Sequence, residues 1–169
     1  MVSTSGPSGL LWPRYMQLTR FTDYALRVLI YVGAHPDRLS TISEVAASYR
    51  ISENHLMKVV NHLATVGYVG TVRGKGGGMK LSRSPQLINI GEVVRDCEDN
   101  MDIVECFNPR QRTCPLLPSC TLKSVLSEAK KNFLTTLDGY TLQDMLSAQS
   151  RELLERGRGV GIPLKALSS

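Results

Sequence analysis

The sequence predicts a mainly helical protein with one small β-hairpin, and three features of the chain support that prediction. Apolar residues recur at spacings of three and four through several segments, which is the spacing of amphipathic helices. The run GTVRGKGGGMKLS, residues 70–82, places glycines between two short stretches that contain β-branched residues, and glycine supplies the positive φ angles of a tight turn. Three cysteines lie within residues 104–123, in a proline-containing loop that follows neither periodicity.

Length and composition favour a folded protein with a polyanionic partner. With 169 residues, of which 42% are hydrophobic, the chain is long enough to bury a core. No apolar run approaches the length of a membrane span, and residues 1–15 lack the basic start and apolar run of a secretory signal. We therefore expect a disordered leader at residues 1–15, a functional start near Met16, a cytoplasmic location and no membrane partner. The net charge of +5 is compatible with binding to nucleic acid.

The first two helices are predicted from an apolar face and from a capping motif. Residues 19–33 carry the apolar stripe of an amphipathic helix, which Gly33 is expected to end. Thr41 and Glu44 match a capping box, in which a hydroxyl and a carboxylate satisfy the free amides at a helix start. A short second helix is therefore predicted at residues 42–48.

A third helix and the hairpin complete a winged helix-turn-helix. Ser52 can cap a helix that runs to about residue 65, after a turn short enough for a helix-turn-helix. Residues 69–72 and 79–81, on either side of the glycine-rich turn, predict the two strands of a wing. The glycines lack the spacing of a phosphate-binding loop, which disfavours nucleotide binding. Residues 16–90 are thus predicted to form a winged helix-turn-helix DNA-binding domain.

The candidate DNA-binding residues follow from the way such domains dock. The second helix of the motif enters the major groove with its N-terminal residues towards the base edges, and the hydroxyl, amide, imidazole and ammonium groups found there can bond bases or phosphates. The cationic turn of the wing would lie over the backbone or in the minor groove. The alternative is a solvated helix face and a charged hairpin without a partner. The candidates are Ser52, Asn54, His55, Lys58, Arg73, Gly74, Lys75, Gly76 and Gly77.

The C-terminal half is predicted to hold further helices around the cysteine loop, in a second segment at residues 91–148. Cys97 completes the apolar face of a short helix at residues 90–97 and is interpreted as a packing residue. Residues 121–137 form the longest helix, whose apolar stripe needs a surface to bury it; a second copy of the chain is the expected one, which makes this the dimerisation helix of a homodimer. Thr141 with Asp144 predicts a last short helix, and residues 149–169 are predicted to be a flexible tail.

Cys106, Cys114 and Cys120 are the candidate metal ligands. In a reducing cytoplasm, clustered cysteines favour a metal over disulfides. Their C-x7-C-x5-C spacing has no C-x2-C pair and no nearby histidine, so zinc is disfavoured, whereas soft thiolates on longer loops suit an iron–sulfur cluster. The open alternatives are small buried hydrophobic residues, a reversible disulfide that switches DNA binding, and a metal-free interaction module. An enzyme is disfavoured because no acid–base or nucleophile arrangement is apparent.

Three motifs taken together resemble one family of regulators. They are MQLTRFTDYALR at residues 16–27, the RGKGGG wing, and the cysteine triplet followed by C-x-L. Over roughly residues 16–147 the chain resembles the NsrR-type nitric-oxide-sensing iron–sulfur repressors, which belong to a winged-helix family that also includes IscR. The resemblance implies a homodimer that binds a palindromic double-stranded operator, and it adds Arg27 to the DNA-binding candidates.

The same resemblance implies a ligand set and a signal. Each subunit would hold one cluster, four-iron four-sulfur or alternatively two-iron two-sulfur, through the three loop cysteines and Asp23 of the other subunit. An IscR-type site would have a histidine where Lys123 stands, and the seven residues between the first two loop cysteines exceed the usual five. Nitric oxide would damage the cluster and release the DNA. The alternative function is a regulator of the same fold whose cluster or thiols respond to another signal.

Overall fold

The computed structural model describes residues 17–110 and 113–156, which form seven α-helices and one two-stranded antiparallel sheet. Three single 3₁₀ turns interrupt the connections, at Pro85–Leu87, Glu105–Phe107 and Leu117–Ser119. The regular elements are α1 (Arg20–Ala34), α2 (Ile42–Tyr49), α3 (Glu53–Thr65), β1 (Val69–Val72), β2 (Gly78–Leu81), α4 (Ile90–Cys97), α5 (Thr121–Asp138), α6 (Leu142–Met145) and α7 (Ala148–Arg156).

Helix α1 is the centre of the core. Thr19 caps it by accepting the amide N–H of Thr22, and most of its length is buried against α3, α4, α6 and β2. The predicted end at Gly33 is wrong by one residue, since the helix includes Ala34. Gly33 instead admits a neighbour: a Cβ at this position would lie 2.9 Å from Leu146 Cδ1, too close for an ordinary contact.

The helix-turn-helix is confirmed. The capping box of Thr41 and Glu44 opens α2, and the turn after α2 carries Arg50 in the left-handed conformation at φ 55°. Ser52 occupies the N-cap position of α3, as predicted, but its side chain makes no capping hydrogen bond. The inner face of α3 is buried by four apolar residues, Leu56, Val59, Val60 and Leu63.

The wing is confirmed with β2 beginning one residue earlier than predicted, at Gly78. Val69 pairs with Leu81 and Val72 with Gly78 in the antiparallel register. Gly74 and Gly76 have φ angles of 97° and 79°, which side chains with a Cβ rarely adopt. The wing is tied to the rest of the domain because Ser40 and Met79 exchange backbone hydrogen bonds of 2.9 and 2.8 Å.

The C-terminal elements pack unevenly on this domain. Helix α4 buries the predicted face of Ile90, Val93, Val94 and Cys97, whereas α5 buries none of its residues fully. Helix α6 begins as predicted, with the Asp144 carboxylate accepting the amide of Thr141 at 2.7 Å. No helix within the described ranges is both long enough and apolar enough to cross a bilayer.

The first part of the predicted flexible tail at residues 149–169 lies in α7, which spans Ala148–Arg156. Leu154 of this helix packs against the core, and this contact stabilises a helix whose composition is otherwise mostly polar. Residues 157–169, like the predicted leader at residues 1–15, lie outside the described residues.

Candidate DNA interface and cysteine loop

The outer face of α3 presents the side chains that the sequence predicted for DNA binding. Asn54 and Lys58 are exposed, one turn apart on the same helix face. His55 is exposed at the edge of that face, where its ring centroid lies 6.4 Å from that of Tyr24 on α1. Ser52 is exposed immediately before the helix.

Two further residues of this face were missed by sequence reasoning. Met57 and Asn61 are both exposed, and they follow Asn54 at i+3 and i+7. Helical spacing alone could have identified them, because residues three, four and seven apart share a face. We refer to Asn54, Met57, Lys58 and Asn61 as the reading stripe.

The wing carries cations in an open position. Arg73 and Lys75 are exposed, together with Gly74 and Gly76 of the turn. Gly77 is partly buried, and a Cβ there would overlap the carbonyl oxygen of Val72, so the turn requires glycine at this point. Among the ion pairs formed between described residues, none involves Arg73, Lys75 or Lys58. These three charges are therefore available to a polyanion.

Arg27 lies in a different environment from the other DNA-binding candidates. Its Nε donates to Oδ1 of Asp23 at 2.9 Å, and its guanidinium lies 5.6 Å from the ring centroid of Tyr49 in α2. Both side chains of the ion pair remain accessible, 42% for Arg27 and 45% for Asp23. The candidate cluster ligand and one candidate DNA contact are thus partners within a single chain.

The cysteine loop connects α4 to α5 and holds three free thiols. Cys106 and Cys120 are partly buried, and Cys114 is exposed. Sγ of Cys120 caps α5 by accepting the amide N–H of Lys123 at 3.4 Å. In the described part of the chain, no three side chains of histidine, cysteine, aspartate or glutamate are gathered closely enough to hold a metal ion, so a single chain does not bring the predicted ligands together.

Cys97 differs from the loop cysteines, as predicted. It is 7% exposed and packs in the main core. Burial raises the pKa of its thiol to about 11, with the nearby carboxylates of Asp96 and Glu98 acting in the same direction. A protonated, buried thiol is a packing group and not a ready ligand.

The end of α4, directly before the cysteine loop, is bonded to both α3 and the base of the wing. The backbone carbonyl of Asp96 accepts a hydrogen bond from Nε2 of His62, in α3, at 2.8 Å. The Asp96 carboxylate accepts the hydroxyl of Tyr68, the residue before β1, at 2.7 Å. Burial and this hydrogen bond raise the pKa of Tyr68, so the phenol stays a donor. A single residue at the end of α4 thus holds the recognition helix and the base of the wing.

Two further contacts tie the loop to α1 and to α5. Oε1 of Glu98 accepts both the amide and the hydroxyl of Thr19, the N-cap of α1, at 2.7 and 3.1 Å. Nζ of Lys130, in α5, lies 3.5 Å from Oδ1 of Asp102 and 5.5 Å from the ring centroid of Phe107. Movement of the loop would therefore act on the start of α1. Asp23, the first member of the Asp23–Arg27 pair, lies four residues after the N-cap Thr19.

Much of the apolar stripe of α5 is exposed in the described part of the chain. Leu122 is 65% exposed, Val125 55% and Phe133 37%. Beside Phe133, a groove of about 560 Å³ runs between α5 and the segment that precedes α1. Its apolar lining includes Leu18, Ile103 and Leu126. Neighbouring exposed apolar side chains of this kind are typical of an interaction surface.

The helix-turn-helix, the wing and their free cations define a winged-helix DNA-binding protein. Residues 18–148 match the family described as "Rrf2: Iron-dependent Transcriptional regulator". The chain belongs to this Rrf2 family of transcriptional regulators, as the sequence predicted.

Curated relatives agree with this assignment. The chain is 52% identical over 132 residues to the HTH-type transcriptional regulator NsrR of Bacillus subtilis (strain 168), covering 78% of this chain and 90% of the relative. It is 47% identical over 147 residues to the regulator of the same name from Geobacillus kaustophilus (strain HTA426), covering 85% of this chain and all of the relative. The prediction of a transcriptional regulator, and not an enzyme, is confirmed by these relatives.

Solved structures share the fold. The IscR of T. potens superposes with a TM-score of 0.63 at 25% identity, covering 78% of this chain and 86% of that one. The global cysteine regulator CymR of B. subtilis superposes with a TM-score of 0.61 at 22% identity, covering 78% and 97%. The predicted fold class, a winged helix-turn-helix followed by a long C-terminal helix, is confirmed.

Proposed function

We propose that the chain is a cytoplasmic, homodimeric repressor that holds an iron–sulfur cluster in its cysteine loop and releases its operator when nitric oxide attacks the cluster. The observation that carries the proposal is the position of the three free thiols: they lie outside the core, in a loop that directly follows α4, and Asp96 near the end of α4 is bonded to the recognition helix and to the base of the wing. The identity to regulators named NsrR supports the proposed signal.

The donors fit an iron–sulfur cluster. Cys106, Cys114 and Cys120 are soft, accessible thiols, and the amide that reaches Cys120 lies at a helix N-terminus, where negative charge is stabilised. When bound, the cluster would supply iron that nitric oxide can attack and a covalent link between the segments that hold it. A four-iron four-sulfur cluster is the proposed form, and a two-iron two-sulfur cluster is the alternative.

Asp23 of the partner subunit is the proposed fourth ligand. Its carboxylate is accessible in the single chain, where it forms an exposed ion pair with Arg27. Exposed i,i+4 pairs contribute about 0.3–0.5 kcal/mol, so a bond to iron can replace this one at little cost. An oxygen donor is a hard ligand on soft iron, which makes this the weakest of the four bonds.

The exposed stripe of α5 supports the dimer. Burying a fully exposed apolar side chain contributes about 1.5–3 kcal/mol, so Leu122, Val125 and Phe133, which are partly exposed, would each contribute a fraction of that. In a twofold dimer each of these contributions would occur in both chains. At about 1.5 Å per residue the 18-residue helix is about 27 Å long, enough for an extended interface. A twofold dimer presents two recognition helices, which matches a palindromic operator.

The hydrogen bonds of Asp96 and Glu98 provide the path from the loop to the DNA. When the loop cysteines bind the cluster, Asp96 would keep α3 and the wing in place, and Glu98 would hold the start of α1. Release of Asp23 of the partner subunit lets the carboxylate return to Arg27 and removes the link between the chains. The two reading heads then lose their fixed separation, and affinity for the paired half-sites falls.

Anaerobic purification tests the proposal. We expect a coloured protein with iron and sulfide in equal amounts, which binds a duplex selected by the protein from a random library. A nitric oxide donor should then abolish binding, while the same dose of hydrogen peroxide under anaerobic conditions should not. Cys106→Ala, Cys114→Ala and Cys120→Ala should each lose the iron, and Cys97→Ala serves as their matched control.

Two outcomes would contradict the proposal in different ways. A colourless protein whose DNA binding responds to peroxide would show a thiol switch. An iron–sulfur protein whose DNA binding ignores nitric oxide but responds to another signal would support the alternative regulator of the same fold.

A further inference from the structure

Met57 is the only apolar member of the reading stripe, and it stands in the stripe's centre. It follows Asn54 by three residues and precedes Asn61 by four, so all three share one helix face. Its side chain is 48% exposed. Lys58, the remaining member, flanks it on the same face.

The Met57 side chain is not part of the core. The inner face of α3 is filled by Leu56, Val59, Val60 and Leu63, each 3% exposed or less. Single exposed apolar residues are common on protein surfaces, so exposure alone decides nothing. The position of Met57 is the informative feature. It lies where the second helix of a helix-turn-helix meets base edges in the major groove.

The major groove offers one apolar group, the 5-methyl of thymine. Methionine suits this contact because its side chain is long, unbranched and polarizable, and can adjust to a methyl group held by the DNA. The neighbours of Met57 match the rest of an A·T-containing site, since an asparagine amide can bond adenine N6 and N7. Lysine, on the other side, can bond guanine or a phosphate.

We propose that Met57 packs on the 5-methyl group of a thymine and is a specificity-determining residue of the operator. The proposal rests on DNA binding by the helix-turn-helix and adds the base that one side chain recognises. It predicts an operator with a thymine at a fixed place in each half-site, beside the bases met by Asn54 and Lys58.

The test removes the methyl group and nothing else. A duplex is selected from a random library with the wild-type, cluster-loaded protein, and each thymine is then replaced singly by deoxyuridine. Binding is measured by fluorescence anisotropy for the wild-type protein, Met57→Ala and Met57→Leu. Leu153→Ala is the matched control. Leu153, in α7, is 47% exposed, a fraction similar to that of Met57, but it lies outside the helix-turn-helix.

At one thymine per half-site we expect deoxyuridine to weaken wild-type binding about fourfold, the effect of one buried methyl group. Met57→Ala should bind the thymine duplex more weakly and show no further loss with deoxyuridine at that position. Met57→Leu should keep part of the affinity loss caused by deoxyuridine, and Leu153→Ala should show the full loss seen with the wild-type protein.

Several results would overturn the proposal. If no deoxyuridine duplex binds the wild-type protein more weakly, or if Met57→Ala keeps the full penalty, Met57 does not contact a thymine methyl. If Met57→Ala changes the oligomeric state or the rate of cluster loss instead, the side chain belongs to a protein interface. Failure of the wild-type protein to select any duplex would contradict base reading by α3 altogether, which is a distinct failure from loss of the methyl effect alone.

Discussion

Nε of Arg27 donates to Oδ1 of Asp23 at 2.9 Å, one turn away along α1, and this pair joins two roles that the sequence assigned separately. Asp23 is the proposed ligand of the partner subunit's cluster, and Arg27 is a candidate DNA contact. Both side chains are more than 40% exposed, so either can exchange its partner without unfolding the helix. Binding of the Asp23 carboxylate to the partner's cluster would break its ion pair with the Arg27 guanidinium, and loss of the cluster would let the pair form again.

The loop thiols and the core thiol should respond differently to substitution. We expect Cys106→Ala, Cys114→Ala and Cys120→Ala each to abolish cluster binding, because a site with three thiolates cannot lose one. Cys97→Ala should keep the iron, since that thiol is buried and protonated, and should lose only some folding stability. Iron and sulfide counts after anaerobic purification provide the measurement. Iron loss from Cys97→Ala together with iron retention in Cys106→Ala would reverse the ligand assignment.

Contacts to phosphates and contacts to bases should be separable by salt. Lys58→Ala and Arg73→Ala should weaken binding to all duplexes and lower the slope of log K against log salt by about one unit each. Asn54→Ala and His55→Ala should instead reduce the preference between operator variants, by about 1–3 kcal/mol per lost base contact. Titrations at several salt concentrations, on selected and random duplexes, decide the matter. An equal loss on both duplexes for all four variants would remove the base-reading role.

The hydroxyl of Tyr68 should matter for the coupling between loop and wing. Tyr68→Phe removes the hydrogen bond to Asp96 and should cost about 0.5–1.5 kcal/mol of folding free energy. It should also narrow the difference in DNA affinity between cluster-loaded and cluster-free protein, because the wing is then no longer held from the loop. Tyr140→Phe is the control, since Tyr140 is 48% exposed and the hydroxyl that bonds Asp96 is that of Tyr68. An unchanged difference in affinity would show that the bond is structural only.

Acid should weaken the helix-turn-helix through Glu44. Burial acts to raise the pKa of this carboxyl, but hydrogen bonds from the Thr41 amide and from Arg38 outweigh it, so the pKa lies below its usual range. A lowered pKa contributes stability that is present above the unfolded-state value and is lost as the pH falls through the folded-state value. Glu44→Gln should therefore lower Tm at neutral pH and flatten the fall of Tm in acid. Thermal melts between neutral pH and pH 3 test this, and parallel acid profiles for both proteins would refute it.

Local patterns predicted the DNA-binding half well. The capping box at Thr41 and the apolar faces of α1 and α3 depend on residues close together in sequence, and the glycine turn of the wing depends on backbone conformation alone. The pair of Asp23 and Arg27 also has a local signal, the i,i+4 spacing, although only the structure shows that the pair forms.

The remaining features depend on tertiary contacts. Asp96 meets residues 28 and 34 positions away, and Glu98 meets one 79 positions away, so no local pattern announces them. Helix α7 was missed because its sequence is mostly polar, and its packing through Leu154 is visible only in the fold. The gathering of the loop cysteines with Asp23 stays a prediction, since it involves a second chain.

Mixed dimers test the central claim, that Asp23 of one subunit binds the cluster held by the other. One chain carries Asp23→Ala, and the other carries Cys106→Ala, Cys114→Ala and Cys120→Ala together. The mixed dimer then has one site with three thiolates and the intact Asp23 of the other chain, and one site with neither. We predict one cluster per dimer, which decays under oxygen as slowly as in the wild-type protein, whereas the Asp23→Ala homodimer loses its clusters faster. If the cluster of the mixed dimer decays as fast as that of the Asp23→Ala homodimer, the carboxylate does not cross the interface.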